Sequence, residues 1–449
     1  MMHKLTAGLI ACMLMGGAYA ATDYPSGYTK CAQNTGATCS MTGTRNVALG
    51  KSGSFVYAVK TGSFACTSSA FPSNSFTTSA WCSYGTTTTA SSSSSSTAAS
   101  SVSSSKSSSS SSKASSSVAS SVASSVSSSV SSTTQGNAAG VIGFASLNKA
   151  GRNGTNGGAG GSTVTVTTFA QLVAAVGDNT PRIVLVSGTI SGSSPKMVRV
   201  GSNKTIQGVG STATISGFGL NVSNFLPPNE GDSCDLADKG TFTPAENVII
   251  RNLSFKNSSD DSINVQCYSH HVWVDHNTFY TSYDGSVDVK RGADWVTVSW
   301  NRYIGTDKSM LLGHSDDNGA QDRGYLHATY HHNWFDHSNT RHPRVRFGQA
   351  HVFNNYGNGI TDYFVGAGVE CDITAEGNYT DAIKRLITYW DGVKVTWNST
   401  NVQETPPHAD DGLVQNGQGF NPKSYYSYTL DPAASIPTIV KNGAGVGKI

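Results

Sequence analysis

The sequence predicts an all-β chain whose larger part is a β-solenoid, preceded by a small disulfide-stapled β-rich module. Three observations carry this. Six short stretches, "NVIIRNLSF", "HVWVDHNTF", "WVTVSWNRY", "LHATYHHNWF", "AHVFNNYGN" and "CDITAEGNYT", alternate β-branched or aromatic residues and then run into Asn followed by a bulky residue. Their asparagines, Asn252, Asn277, Asn301, Asn333, Asn355 and Asn378, are 25, 24, 32, 22 and 23 residues apart. Cys31, Cys39, Cys66 and Cys82 crowd a short block near the N-terminus.

A period in the low twenties with one short strand per anchor is the signature of a solenoid. Asn suits the corner of each coil because it tolerates the left-handed conformation and can stack amide on amide between coils. Leucine-rich repeats have a similar period, but their leucine pattern is absent; a β-sandwich would not keep a fixed Asn register. The N-terminal cysteines fit two disulfides that staple a domain too small to hold itself by burial alone. Four cysteines allow three pairings. Cys234, Cys267 and Cys371 are an odd set, so at least one is a buried thiol or an exposed reactive one.

The remaining organisation follows from composition. Residues 1–20 read as a secretory signal: His3 and Lys4, an apolar run from Leu5 to Met15, and small residues ending at Ala18-Tyr19-Ala20, with cleavage after Ala20. Lipidation at Cys12, in "LIAC", is the rival reading, and its apolar stretch is unusually short. Residues 21–86 form the small module. Residues 87–136 are a Ser-rich flexible linker, nearly pure Ser from Ser91 to Ser132, which cannot bury enough apolar surface to offset the entropy of ordering. Residues 137–449 are the solenoid. No later segment approaches the ~20 continuous apolar residues of a membrane helix. With 13% charged residues and a formal charge of +2, nothing supports nucleic-acid binding, which needs a basic surface.

Charge is instead concentrated locally. Strands stacked in a solenoid lie about 4.8 Å apart, so residues at similar offsets from successive anchors become neighbours. Asp261 sits at +9, Asp284 at +7, Asp288 at +11, Lys308 at +7, Arg341 at +8 and Arg346 at +13. One face therefore carries acids on two coils and bases on the next two, with a loop around "HSDDNGAQDRG" beside it. Three converging carboxylates repel one another unless a cation lies between them, and an all-oxygen set favours Ca²⁺ over zinc. Lys308, Arg341 and Arg346 suit an anionic ligand such as a uronic acid polymer. Arg344, an odd number of positions from Arg341, is expected to point away and pair structurally. His276, His331, His332, His337 and His342 could suggest a transition-metal site, but the first three lie in or beside strand ends as structural histidines do.

At these residues the sequence resembles the family 1 polysaccharide lyases, the pectate lyases. The likeness runs from about Val141 to the C-terminus and includes "VGSNKTIQGVG", "DGSVDVK", "DKSMLLG", "RHPRVRFGQAHVFNNY" and "YSYTLDPAASIPTIVKNGAGVGK". It implies a right-handed parallel β-helix, a Ca²⁺ held by Asp261, Asp284 and Asp288, and cleavage of pectate (polygalacturonate) by β-elimination. In it Arg341 is the base, Lys308 contacts the substrate carboxylate, and Arg346 is a further substrate-binding arginine. Some relatives place another acid where this chain has Ser259. The tethered layout also resembles secreted bacterial polysaccharide-degrading enzymes, in which the small module holds the polymer; Tyr57, Trp81 and Tyr84 are the aromatics that could stack on plant cell-wall sugars, or else form its core. A monomer is expected. An arginine base is awkward, its ordinary pKa exceeding 12. A neighbouring cation and flanking bases would disfavour its charged form, so an alkaline activity optimum is expected. The alternatives are a pectin lyase, a polygalacturonase-like hydrolase using paired carboxylates, and a non-catalytic polysaccharide-binding protein.

Overall fold

The computed structural model describes residues 23–24, 28–51, 54–71, 79–87, 137–226, 233–390, 392–404 and 417–449. Residues 1–20, expected to be a secretory signal, and the polyserine run lie outside them. The chain divides into two compact units, Met1–Ser124 and Ser125–Ile449.

In the first unit, strands Thr29–Gln33, Trp81–Thr87, Thr44–Lys51 and Ser54–Thr61 form an antiparallel sheet in that order, and Thr38–Cys39 pairs with Phe64–Ala65. Of the three possible pairings, the disulfides are Cys31–Cys39 and Cys66–Cys82. Cys39, Cys66 and Cys82 lie in the unit's small core with Val47, Leu49 and Phe71. Tyr84 packs against that core, with Arg45 over its ring at 5.1 Å, and Lys30 lies 3.6 Å over Trp81. One face of each ring is thus taken by a cation. The Tyr57 side chain lies outside the described residues.

The second unit is the parallel β-helix. Among the described residues its coils build sheets of ten, nine and eight strands. In-register pairing aligns one inward column through the ten-stranded sheet: Val184, Ile206, Ile250, Val274, Val298, Tyr330, Val352, Ala375 and Trp397. In the nine-stranded sheet Phe255, Phe279, Tyr303 and Phe335 stack at centroid spacings of 5.2, 5.0 and 5.1 Å. Alternation with period two sends these residues inward on every coil, so each strand is stable only against its neighbours. Helix Phe169–Val176, started by a Thr168/Gln171 capping box, buries Leu172 and Val176 against the first coils.

The asparagine register holds, with one slip. Asn277 Nδ2 donates to Asn301 Oδ1 (3.0 Å), and the chain continues through Asn333, Asn355 and Asn378 to Asn401, which lies beyond the six anchors. The left-handed corner is not the ladder Asn but the residue before it: His276, Trp300, His332, Asn354 and Gly377 all have positive φ. Asn252 occupies that corner (φ 58°), and Leu253 takes the ladder position, its N–H donating to Asn277 Oδ1 at 3.0 Å. The spacing of 25 at that step is therefore a shift of one residue, not a longer coil.

Replacing Asn333 with Ala would strand the Val298 carbonyl and the Asn301 amide N–H. A loss of about 2–4 kcal/mol is expected from groups left buried without partners, read as a lower denaturant midpoint. Asn252→Ala, outside the ladder, would strand the Gly208 and Gly210 carbonyls and the Gly447 N–H, and a loss of the same size is expected.

Cys234 and Cys267 form a third disulfide, and Cys371 is the buried free thiol, which burial pushes up to about 12.

Candidate active site

The eight-stranded sheet places the charged face. Its adjacent strands Ile263–Val265, Gly285–Val289, Lys308–Leu312 and Arg344–Val345 run parallel. Asp260 and Asp261 precede the first, Asp284 precedes the second, Lys308 opens the third, Arg341 precedes the fourth and Arg346 follows it. Stacking coils thereby converts a sequence offset into proximity.

Carboxylate oxygens of Asp260, Asp261 and Asp284 lie within 4.8 Å of one another. Asp261 is buried; its Oδ1 accepts the Gly285 N–H (2.7 Å) and its Oδ2 the Lys290 ammonium (2.9 Å). Asp288, also buried, meets Lys290 through Oδ2 at 3.4 Å, while its Oδ1 has no partner. Burial pushes the Asp288 carboxyl up and the Asp261 charge adds to this, against the pull of Lys290 and Arg341. For Asp260, too, burial and then the Asp261 charge raise it. Burial opposes ionisation of Asp284 as well, yet the hydrogen bond from Lys308 (2.7 Å), with the charges of Lys308 and Arg341, brings it below the ordinary range. Burial alone would depress Lys290; the Asp288 and Asp261 carboxylates more than reverse it.

These residues fit a calcium ion. The donors are all hard oxygens, one buried carboxylate oxygen of Asp288 is unsatisfied, and position 285 carries no side chain that could fill the gap. A Cβ there would lie 2.5 Å from Asp288 Oδ1 and 2.9 Å from Asp261 Oδ1. Asp260, absent from the sequence-derived set, joins Asp261 and Asp284, while Asp288 reaches them through Lys290. Lys290 was legible in principle, since it stands at +13 from Asn277 as Arg346 does from Asn333.

Arg341 adopts a left-handed backbone (φ 65°) and is locked from both sides. The Met310 N–H donates to its carbonyl (2.8 Å), the Ser309 N–H to Thr340 O (3.0 Å), and the His342 N–H to Phe364 O (2.8 Å). His342 is buried beneath the turn, bonded to Ser338 Oγ at 2.7 Å and stacked on Phe364. A non-glycine residue held at positive φ is local strain that the surroundings enforce. Among the described residues no carboxylate lies within ion-pair distance of the Arg341 guanidinium, although its charge acts on Asp284 and Asp288. Arg346 is different: Asp316, from the loop after Leu312, accepts from its Nε, and Gly313 O from its Nη1 (3.0 Å). Two of its five donors are used there, leaving others for a ligand.

Arg344 pairs structurally, as expected, but beside Arg346 and not away from it. It lies 4.0 Å from the same Asp316 and 4.4 Å over the Trp390 ring. Parity fails because the left-handed Arg341 and Pro343 interrupt the extended chain between Arg341 and Arg344. The histidines are structural. His276 and His332 flank Trp300 in a stack, His331 stacks on Phe353, and His337 pairs with Asp336. Among the described residues they join no metal-binding group.

Burial holds His271 down to about 4 and His342 to about 3. An unfolded histidine takes its proton near 6.5, so below that pH the unfolded chain binds more protons than the native one. Stability is therefore expected to be intact above about pH 7 and to fall as pH drops from 6.5 toward 4.5, by up to about 1.4 kcal/mol per pH unit for each such group. Thermal melts across that range check it, and His342→Asn is expected to flatten the slope; a melting temperature independent of pH would contradict it.

Comparison with known proteins agrees with the geometry. Residues 116–449 match the family Pectate lyase. A pectate trisaccharide-lyase from Bacillus licheniformis is 36% identical over 328 residues, covering 68% of this chain and 86% of that protein. Pectate lyase A of Emericella nidulans is 37% identical over 317 residues, with the same coverage. A solved pectate lyase from Bacillus sp. N165, in complex with trigalacturonate, superposes with a TM-score of 0.56 at 30% identity, over 69% of this chain and 99% of that one. A parallel β-helix with these relatives defines a polysaccharide lyase. The chain belongs to the pectate lyase family.

Proposed function

We propose that this enzyme is a secreted, calcium-dependent pectate lyase that cleaves (1→4)-α-D-galacturonan by β-elimination, with Arg341 as the base. The observation that carries the reading is the asymmetry among the basic side chains. Lys308 and Arg346 are tethered to Asp284 and Asp316, whereas Arg341 has no carboxylate partner among the described residues and sits on a rigid turn beside the acids.

Lys308 and Arg346 orient the uronate carboxylate. Arg341 in its neutral form takes the proton from C5; the electron pair forms the C4=C5 double bond as the C4–O bond breaks, the oxygen leaves with the next sugar and takes a proton from solvent, and Arg341 returns its proton to solvent, so no net water is consumed. Calcium held by Asp261, Asp284 and Asp288, with Asp260 beside them, would supply positive charge against the carboxylate and so favour loss of the C5 proton. A hydrolase needs two accessible carboxyl groups flanking the bond, and Asp288 is buried under Lys290.

Export through segment 1–20, with the mature chain beginning at Ala21, and polymer binding by the N-terminal module belong to the same proposal. Incubation with polygalacturonate is expected to release 4,5-unsaturated oligogalacturonides that absorb in the near ultraviolet. Reducing ends without that absorbance would favour a hydrolase, and preference for methylated polymer a pectin lyase.

A further inference from the structure

Tyr283 is 80% exposed, the most exposed large hydrophobic side chain among the described residues. Single exposed aromatics are ordinary, but this one is built in. Its N–H donates to Ser258 O (2.9 Å), and the preceding Ser282 Oγ donates to Asp284 O (3.2 Å) and Gly285 O (2.9 Å). The turn that presents the ring is therefore the turn that presents Asp284. The exposed Lys196 lies 5.8 Å over the ring centroid, and its charge also acts on Asp260.

The position along the sheet gives this pair a meaning. Lys196 precedes strand Met197–Val200, the first of the eight-stranded sheet, followed in order by Gly219–Val222, Ile263–Val265 and Gly285–Val289. At about 4.8 Å per strand the Lys196 coil lies about 14 Å from the Asp284 coil, on the side opposite Lys308 and Arg341. Tyr283 and Lys196 bridge that interval. The charged face thus continues past the acids as a largely exposed ring with an ammonium group over one face, a pairing whose other face suits the apolar side of a sugar and whose charge suits the carboxylate of a uronate.

We propose that Tyr283 and Lys196 form a distal subsite that binds a galacturonate unit beyond the acid cluster and makes the enzyme favour longer chains. This rests on the lyase reading above. Neither residue touches the reacting atoms; both act by holding the polymer.

The test compares kcat/KM on trigalacturonate and hexagalacturonate for the wild type, Tyr283→Ala, Tyr283→Phe and Lys196→Ala, following the unsaturated product. Tyr283→Ala is expected to lower the hexamer-to-trimer ratio about tenfold, the scale of one lost ring contact. Tyr283→Phe should keep most of the ratio, and Lys196→Ala should lower it through KM. Because the ring is exposed, the melting temperature should not move. Equal losses on both lengths, or no loss on either, would overturn the subsite while leaving the lyase reading intact. A wild type that yields no unsaturated product from either oligomer would overturn both.

Discussion

Replacing Arg341 with alanine is expected to lower kcat on polygalacturonate at least about 10³-fold, within the range that general base catalysis contributes, while the solenoid stays folded. The fold is spared because the turn is held through its backbone: Met310, Ser309 and His342 N–H groups bond carbonyls on neighbouring coils or on the turn itself, and none of these bonds involves the guanidinium. Alanine accepts the left-handed conformation no worse than arginine does, since both carry a Cβ. Arg341→Lys is expected to lose at least about 100-fold, because a flexible ammonium group does not reproduce a positioned planar fork. The measurement is kcat at saturating substrate and calcium, with a thermal melt as control. Wild-type turnover in a folded Arg341→Ala variant would remove the residue from its role.

Removal of calcium is the second large effect. Chelation is expected to abolish product formation, and added calcium to raise the wild-type melting temperature in a concentration-dependent way, as any ligand of the native state does. The acids separate under mutation. Asp284 is partly exposed, so Asp284→Asn is expected to weaken calcium binding, measured calorimetrically, about 10–100-fold with little change in metal-free stability. Asp261 is buried against Lys290 and the Gly285 N–H. Asp261→Asn leaves the buried Lys290 ammonium with Asp288 alone, 3.4 Å away, and a loss of about 1–3 kcal/mol of stability is expected alongside the loss of calcium binding. Full activity after thorough chelation would take the acids out of the calcium role.

Much of this was legible because a solenoid turns linear spacing into space. The asparagine period marks the coils, and shared offsets brought Asp261, Asp284, Lys308 and Arg341 to one face. The failures are equally physical. Asn252 has the right residue type one position early, because Asn suits both the left-handed corner and the ladder, and spacing alone does not distinguish the two uses. Asp260 and Lys290 went unnoticed because each stands within two residues of an acid already assigned. Yet Lys290 is what joins Asp288 to Asp261. Arg344 pairs structurally as expected, yet beside Arg346 and not away from it, because strand parity holds only along extended chain and Arg341 is not extended. The Cys234–Cys267 pairing joins residues 33 apart across a loop with no repeat to measure it.

The central claim is that an arginine removes the C5 proton. An arginine surrenders its own proton reluctantly, so the competent fraction must grow as the solution becomes more alkaline. The direct test is kcat/KM for unsaturated product from pH 7 to 10 at saturating calcium. A steady rise toward pH 10 is predicted, and a flat profile over that range would contradict Arg341 as the base.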